Sequence, residues 1–195
     1  MRIFSSDVPI VAFEPNAAMA QQVAEFNRSD ALVTVHPMAL GEQEDTLTLF
    51  TPYYRGFVFD GLASMHRTEA AEWLQSRIIR FDPSLLRIDE QQVVVRRLDD
   101  FDLTPTFMKL RVQGFELAAL RGGSNTIAAH LPVIMVQNYE DGEEQVAEFL
   151  SAFGYQVCAF DHEANGFIAG TRGSVNSFFL TAEHQNSLPM LNGRT

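Results

Sequence analysis

The chain is poor in several residue types that mark common functional classes. It carries one cysteine, Cys158, in 195 residues. No internal disulfide can form, and a reducing, cytoplasmic compartment is the expectation. It carries one lysine, Lys109, and its 14 basic residues face 25 acidic ones, for a net charge of −11. Such a surface repels phosphates and anionic lipid, so neither nucleic acid nor a membrane is expected as a partner. The apolar runs, such as residues 131–136 and 93–95, fall far short of the roughly 20 residues needed to cross a bilayer. The opening Met1-Arg2-Ile3-Phe4-Ser5-Ser6-Asp7 lacks the apolar stretch and small-residue cleavage site of a secretory signal. His36, His66, His130, His162 and His184 include no i, i+4 pair, and no metal site is expected. None of the 12 glycines builds a dinucleotide fingerprint, a triphosphate loop or a nucleophile elbow.

What is present is an ordinary globular composition: 46% hydrophobic, 11% aromatic and 20% charged residues. The length and the lack of a linker predict a single domain over residues 1–195. Residues 8–13 form an apolar run closed by Glu14-Pro15-Asn16, which reads as a buried strand followed by a turn. Asn16 then caps a helix whose inner face is Met19, Val23 and Phe26. Further strands are predicted at 32–36, 46–50, 92–98, 107–112, 132–136 and 177–180. Helices are predicted at 68–80, with Ala71, Leu74 and Ile78 inward, at 115–121, closed by Gly122-Gly123, and at 143–153. Residues 52–91 otherwise read as a long loop. Asn165-Gly166 between two apolar runs is a hairpin signal. Strands alternating with helices, then an antiparallel tail, indicate an open α/β sheet.

Two acidic motifs could carry chemistry. Asp100-Phe101-Asp102-Leu103-Thr104 has the spacing of a phosphatase D-x-D-x-T motif, in which one carboxylate is the nucleophile and the pair binds magnesium. That site would open the fold and needs further acids on later strands, so a solvated acidic turn is the expectation. Glu14 closes the first strand, where a carboxylate can accept hydrogen bonds from both hydroxyls of a ribose. The same position also suits a plain helix-start signal, and both readings stand.

Val11-Ala12-Phe13-Glu14-Pro15-Asn16, Leu98-Asp99-Asp100-Phe101, the run from Phe107-Met108-Lys109-Leu110-Arg111 through Val112-Gln113-Gly114-Phe115-Glu116-Leu117, Leu120-Arg121-Gly122-Gly123 and Pro132-Val133-Ile134 follow one another in an order and spacing that resemble the FkbM family of methyltransferases. Gly154-Tyr155 and Asn176-Ser177-Phe178-Phe179-Leu180 are similar to its closing segments. The resemblance covers about residues 8–181 and is most specific around Lys109.

The resemblance implies a Rossmann-like class I methyltransferase sheet, mostly parallel with an antiparallel C-terminal hairpin. The implied cofactor is S-adenosylmethionine, and the implied substrate a small-molecule hydroxyl on a sugar or secondary metabolite. Glu14 and Asn16 would sit at the ribose, Met38 and Ala39 near the adenine, and Ser64 at the acceptor or cofactor. Lys109, Arg111 and Glu140 would form the catalytic group.

The chain also departs from the family pattern. The usual first strand and its glycine-rich cofactor loop do not precede residue 8, which predicts weak or absent cofactor binding. It also predicts exposed sheet edges through which a homo-oligomer could form. Arg111 stands where the family usually has aspartate. At roughly 6 Å from a sulfonium, with an effective dielectric of about 20, the repulsion would be about 3 kcal/mol, or about a hundredfold in affinity. Two readings of Arg111 are open, a functional role or a structural ion pair with Glu116 or Asp99. Gln137 is a further lost carboxylate, with Glu140 and Asp141 close behind. The alternative to an enzyme is a truncated or degenerate, noncatalytic interaction module.

Overall fold

The computed structural model describes residues 7–138 and 142–191. They fall into two compact units, one ending at Arg96 and the other beginning at Arg97. No linker marks this division in the sequence.

The first unit opens with β1 (Ile10–Phe13), α1 (Ala17–Phe26) and β2 (Val33–His36). β1 and β2 pair in parallel, Ile10 opposite Val33 through Phe13 opposite His36, as a βαβ crossover requires. Asn16 caps α1 as expected, its side-chain oxygen accepting from the N–H groups of Ala18 and Met19. The expected inner face of α1 is only partly realised. Ala20 is buried, whereas Phe26 is 77% exposed.

A second sheet in this unit has the order β3 (Ala39–Leu40), β6 (Leu86–Arg96), β4 (Asp45–Tyr54), β5 (Phe57–Val58). β4 and β6 form a long antiparallel pair, Asp45 opposite Val95 through Tyr54 opposite Leu86. Much of the segment expected to be loop is therefore strand. The first half of β6 is charged and polar, and only Leu86 and Ile88 signal its alternation. Between these strands α2 (Arg67–Arg77) buries Ala70, Ala71 and Leu74, close to the predicted helix.

The second unit has one six-stranded sheet, ordered β12 (Met190–Leu191), β10 (Gly166–Ala169), β9 (Gln156–Asp161), β11 (Asn176–Leu180), β8 (Val133–Gln137), β7 (Phe107–Leu110). β7 and β8 are parallel. β11 runs antiparallel to both β8 and β9, and β9 and β10 form the predicted hairpin, with Asn165 in the left-handed conformation at φ 50°. α3 (Glu116–Gly122) runs directly into α4 (Ser124–His130). The glycines close α3 as expected, with Gly123 at its C-cap; a side chain at Gly123 would lie 2.8 Å from Leu98, so the 3-10 turn at Leu98–Phe101 packs close at this point. α5 (Glu143–Ser151) buries Val146 and Leu150, and α6 (Ala182–Ser187) is capped by a reciprocal Thr181–His184 box. Leu110, Leu120, Ile127, Ile134, Val136, Val146, Leu150 and Leu180 make the core of this unit. Phe160, Phe167 and Phe178 cluster with ring centroids 5.0–6.1 Å apart.

The architecture is thus α/β with mixed sheets. The mostly parallel pattern is corrected: among the described residues parallel pairing is confined to β1–β2, β3–β6, β7–β8 and β10–β12, and the longest pairing, β4–β6, is antiparallel. Among the described residues, β1 pairs only with β2 and β7 only with β8. None of the four β1 residues is buried, and Phe107 on β7 is 51% exposed. A parallel strand is ordinarily covered on both faces.

Candidate functional site

The first unit holds all the expected cofactor residues, and the turn after β1 holds Glu14 and Asn16. Glu14 Oε1 accepts from the Asn16 N–H at 2.8 Å. Among the described residues no other hydrogen bond reaches this carboxylate. Burial pushes its pKa above the ordinary carboxylate value; the Asn16 N–H pulls the other way, and the nearby charge of Asp60 adds to the rise. A carboxylate that loses water and receives one donor lacks the hydrogen bonds that would stabilise its charge.

Asn16 itself is buried, and its side-chain oxygen is engaged in capping α1. Through that oxygen it shapes the turn. The rings of Phe13 and His36, paired across β1 and β2, stack with centroids 5.0 Å apart. Met38 follows β2, half-buried, its N–H donating to the His36 carbonyl at 2.9 Å. Ala39 lies in β3, 8% exposed and paired with Val95. Ser64 is 4% exposed. Its backbone forms a bridge to Phe50, and its hydroxyl accepts from the His66 N–H at 3.0 Å.

Two residues near Glu14 escape sequence reading. Asp60 begins a short 3-10 turn at Asp60–Leu62, and only folding brings its charge near Glu14. Gln91 on β6 receives the Ala17 N–H and donates to the Pro15 carbonyl. Its available signal is position: residues 91, 93 and 95 share a face of β6, and Val93 and Val95 are both 3% exposed.

The expected catalytic residues belong to the second unit. Lys109 on β7 and Arg111 just after it are exposed. Of the two readings of Arg111, the ion pair with Glu116 or Asp99 is not made. Glu116 is 5% exposed and accepts from the Val112 N–H at 2.9 Å through Oε1 and from the Gly114 N–H at 2.8 Å through Oε2. Asp99 accepts from the N–H and hydroxyl of Thr126, both at 2.9 Å, and from the N–H of Asn125, and it pairs with Arg97. Burial alone would raise the Asp99 pKa; these donors outweigh it and hold the carboxyl below its usual value. Both acids are engaged, and Arg111 makes no ion pair among the described residues. Glu140 and Asp141 lie outside the described residues.

The D-x-D-x-T acids lie in and beside the 3-10 turn at Leu98–Phe101, with Asp102 at φ 46°. A groove of about 270 Å³ there is lined by Asp99, Asp102, Asn125, Thr126 and His130 among others. Among the described residues no group of three or more His, Cys, Asp or Glu side chains is placed to hold a metal ion, and no helix is long and apolar enough to cross a membrane.

Comparison with known proteins adds family to this geometry. A family model described as the methyltransferase FkbM domain matches residues 5–157. The fold is similar to the crystal structure of a methyltransferase FkbM from Methylobacillus flagellatus KT, with a TM-score of 0.53 and 18% sequence identity, over 88% of this chain and 36% of that one. The chain thus spans little more than a third of that protein. No curated protein matches the chain.

Proposed function

The chain belongs to the FkbM methyltransferase family, and from that premise we propose that its first unit binds the nucleoside of S-adenosylmethionine through Glu14, in the service of methyl transfer to a hydroxyl oxygen of a sugar or secondary metabolite. The observation that carries the reading is the state of Glu14: a partly buried carboxylate with one protein donor and an uplifted pKa. The two adjacent hydroxyls of a ribose are the donors such a group lacks, and charge-assisted hydrogen bonds of this kind are the strong ones. The residues present therefore fit the ribose.

The Phe13–His36 stack and Met38 supply polarisable surface beside the same turn, suited to a flat base. When bound, S-adenosylmethionine supplies an electrophilic methyl group. Glu14 contributes binding and orientation. A guanidinium cannot accept a proton, so Arg111 is not the base for the acceptor hydroxyl; Glu140, three residues beyond β8 in the sequence, is the proposed one.

Titration calorimetry with S-adenosylhomocysteine tests the reading. Glu14→Gln should weaken binding about tenfold, the scale of hydrogen bonds to a charged group. The 2′-deoxy analogue should bind less well to the natural protein, and removing the hydroxyl should matter less in the variant. Unchanged binding by Glu14→Gln would overturn the assignment.

One observation favours a second reading. Arg111 is exposed and makes no ion pair among the described residues, where the family pattern has an acid. A noncatalytic module that pairs with a second copy through the open edge of β1 or β7 fits that feature. Concentration-dependent dimerisation without methyl transfer, measured by sedimentation and a labelled-methyl assay, would support it over the enzyme.

A further inference from the structure

We infer that Gln91 is a positioning residue: its side-chain amide clamps the turn that carries Glu14 and fixes the carboxylate for a neutral nucleoside rather than a phosphate. The inference rests on the nucleoside reading of Glu14.

Gln91 occupies a position where an apolar side chain would be expected. It stands opposite Leu49 in the β4–β6 pair and shares a face with Val93 and Val95; Leu49, Val93 and Val95 are each 3% exposed. Alternation in a half-buried strand calls for an apolar residue at such a position. A primary amide there is explained by what it contacts. Nε2 donates to the Pro15 carbonyl at 3.1 Å, and Oε1 accepts from the Ala17 N–H at 3.4 Å. A side-chain amide offers one donor and one acceptor in the arrangement of a peptide group, so Gln91 pairs with the turn as a neighbouring strand would. The two bonded residues flank Asn16, and Asn16 donates its N–H to Glu14.

The clamp also determines what the start of α1 can bind. A helix N-terminus with free N–H groups is a ready phosphate cradle. Here Ala17 donates to Gln91, Ala18 and Met19 donate to Asn16 Oδ1, and Ala20 donates to the Asn16 carbonyl. The first helical N–H groups are all engaged, and the Glu14 carboxylate beside them repels an anion. What remains is an acceptor for hydroxyl donors.

The test replaces Gln91 with leucine, which suits the apolar face, and follows hydrogen exchange in the ligand-free protein. Amide exchange at Ala17 should quicken at least about tenfold, with the β4–β6 amides unchanged. Affinity for S-adenosylhomocysteine should fall about tenfold in Gln91→Leu, and adding this change to Glu14→Gln should cost little more, because Gln91 acts through Glu14. A residue that merely stabilises the sheet would lower affinity by the same factor in both backgrounds, and that result would overturn the inference. So would unchanged exchange at Ala17, or adenosine monophosphate binding as well as adenosine. If the natural protein binds no nucleoside, the reading of Glu14 fails by itself, and the exchange measurement alone decides the clamp.

Discussion

The turns after β1 and β7 are built on the same plan, a parallel strand running through a short turn into a helix, and each holds a glutamate. After β7 the glutamate is Glu116, and both its oxygens are engaged by backbone N–H groups of its own turn. That turn is tight: Gln113 has φ 50° and Gly114 φ 95°, a left-handed pair that leaves two N–H groups pointing inward, where a carboxylate can neutralise them. After β1 the glutamate is Glu14, with one donor, partial burial and a pKa raised by desolvation. The turn that holds it is fixed by its own Asn16, which caps α1, and from outside by Gln91. A carboxylate saturated by its own backbone is structural. One held in place by neighbours yet short of donors is the one proposed to meet a ligand.

The sharpest way to break this comparison is to remove the saturated glutamate. Glu116→Ala leaves two backbone N–H groups without acceptors and should destabilise the protein by about 3 kcal/mol, read from the shift of the denaturant midpoint. A smaller effect, about 2 kcal/mol, is expected for Asp99→Ala, which strips the acceptor from the start of α4. Because the folded pKa of Asp99 is depressed, its contribution is present above the unfolded value of about 3.9 and is lost as pH falls through the folded value. Acid unfolding should therefore have a shallower slope below about pH 4 in the alanine variant.

Glu14 should behave in the opposite sense. Its folded pKa is raised, so whatever it contributes to stability is present below the unfolded value of about 4.3 and is lost as pH rises through the folded value. At neutral pH the ionised group opposes folding, and Glu14→Gln should raise the melting temperature while weakening nucleoside binding. A variant that loses both stability and binding would make Glu14 a second Glu116. The smallest effect is expected at Arg111: exposed and without an ion pair among the described residues, Arg111→Asp should change stability by less than about 0.5 kcal/mol. Any change it brings to methyl transfer would then be attributable to charge at the site. Cys158 supplies a control for native packing. It is fully buried, and burial pushes its thiol up to about 11, so an aromatic disulfide reagent should leave it unlabelled at pH 8 until the chain is unfolded.

Local features were legible wherever one signal sufficed. The Asn16 cap, the Asn165-Gly166 hairpin, the apolar strands at β1, β2 and β8 and the helix at α5 could all be read because each is decided by neighbours within a few residues. The first half of β6 was hidden because its polar residues depend on β4, some forty residues away at the Glu90–Phe50 pair. The α3–α4 junction was hidden because a glycine helix stop does not say whether another helix follows directly. For Arg111 an ion pair was one of two open readings, and the acids it would have paired with already had other donors.

The sequence by itself determined the family, the cap and turn chemistry, the net charge of −11 and the presence of a carboxylate at the end of the first strand, since all of these are properties of residues and their spacing. Only tertiary structure decided which acid is short of donors. Glu14, Asp99 and Glu116 are chemically alike along the chain, and what separates them is the number of N–H and O–H donors that folding brings to each carboxylate and how much water it removes.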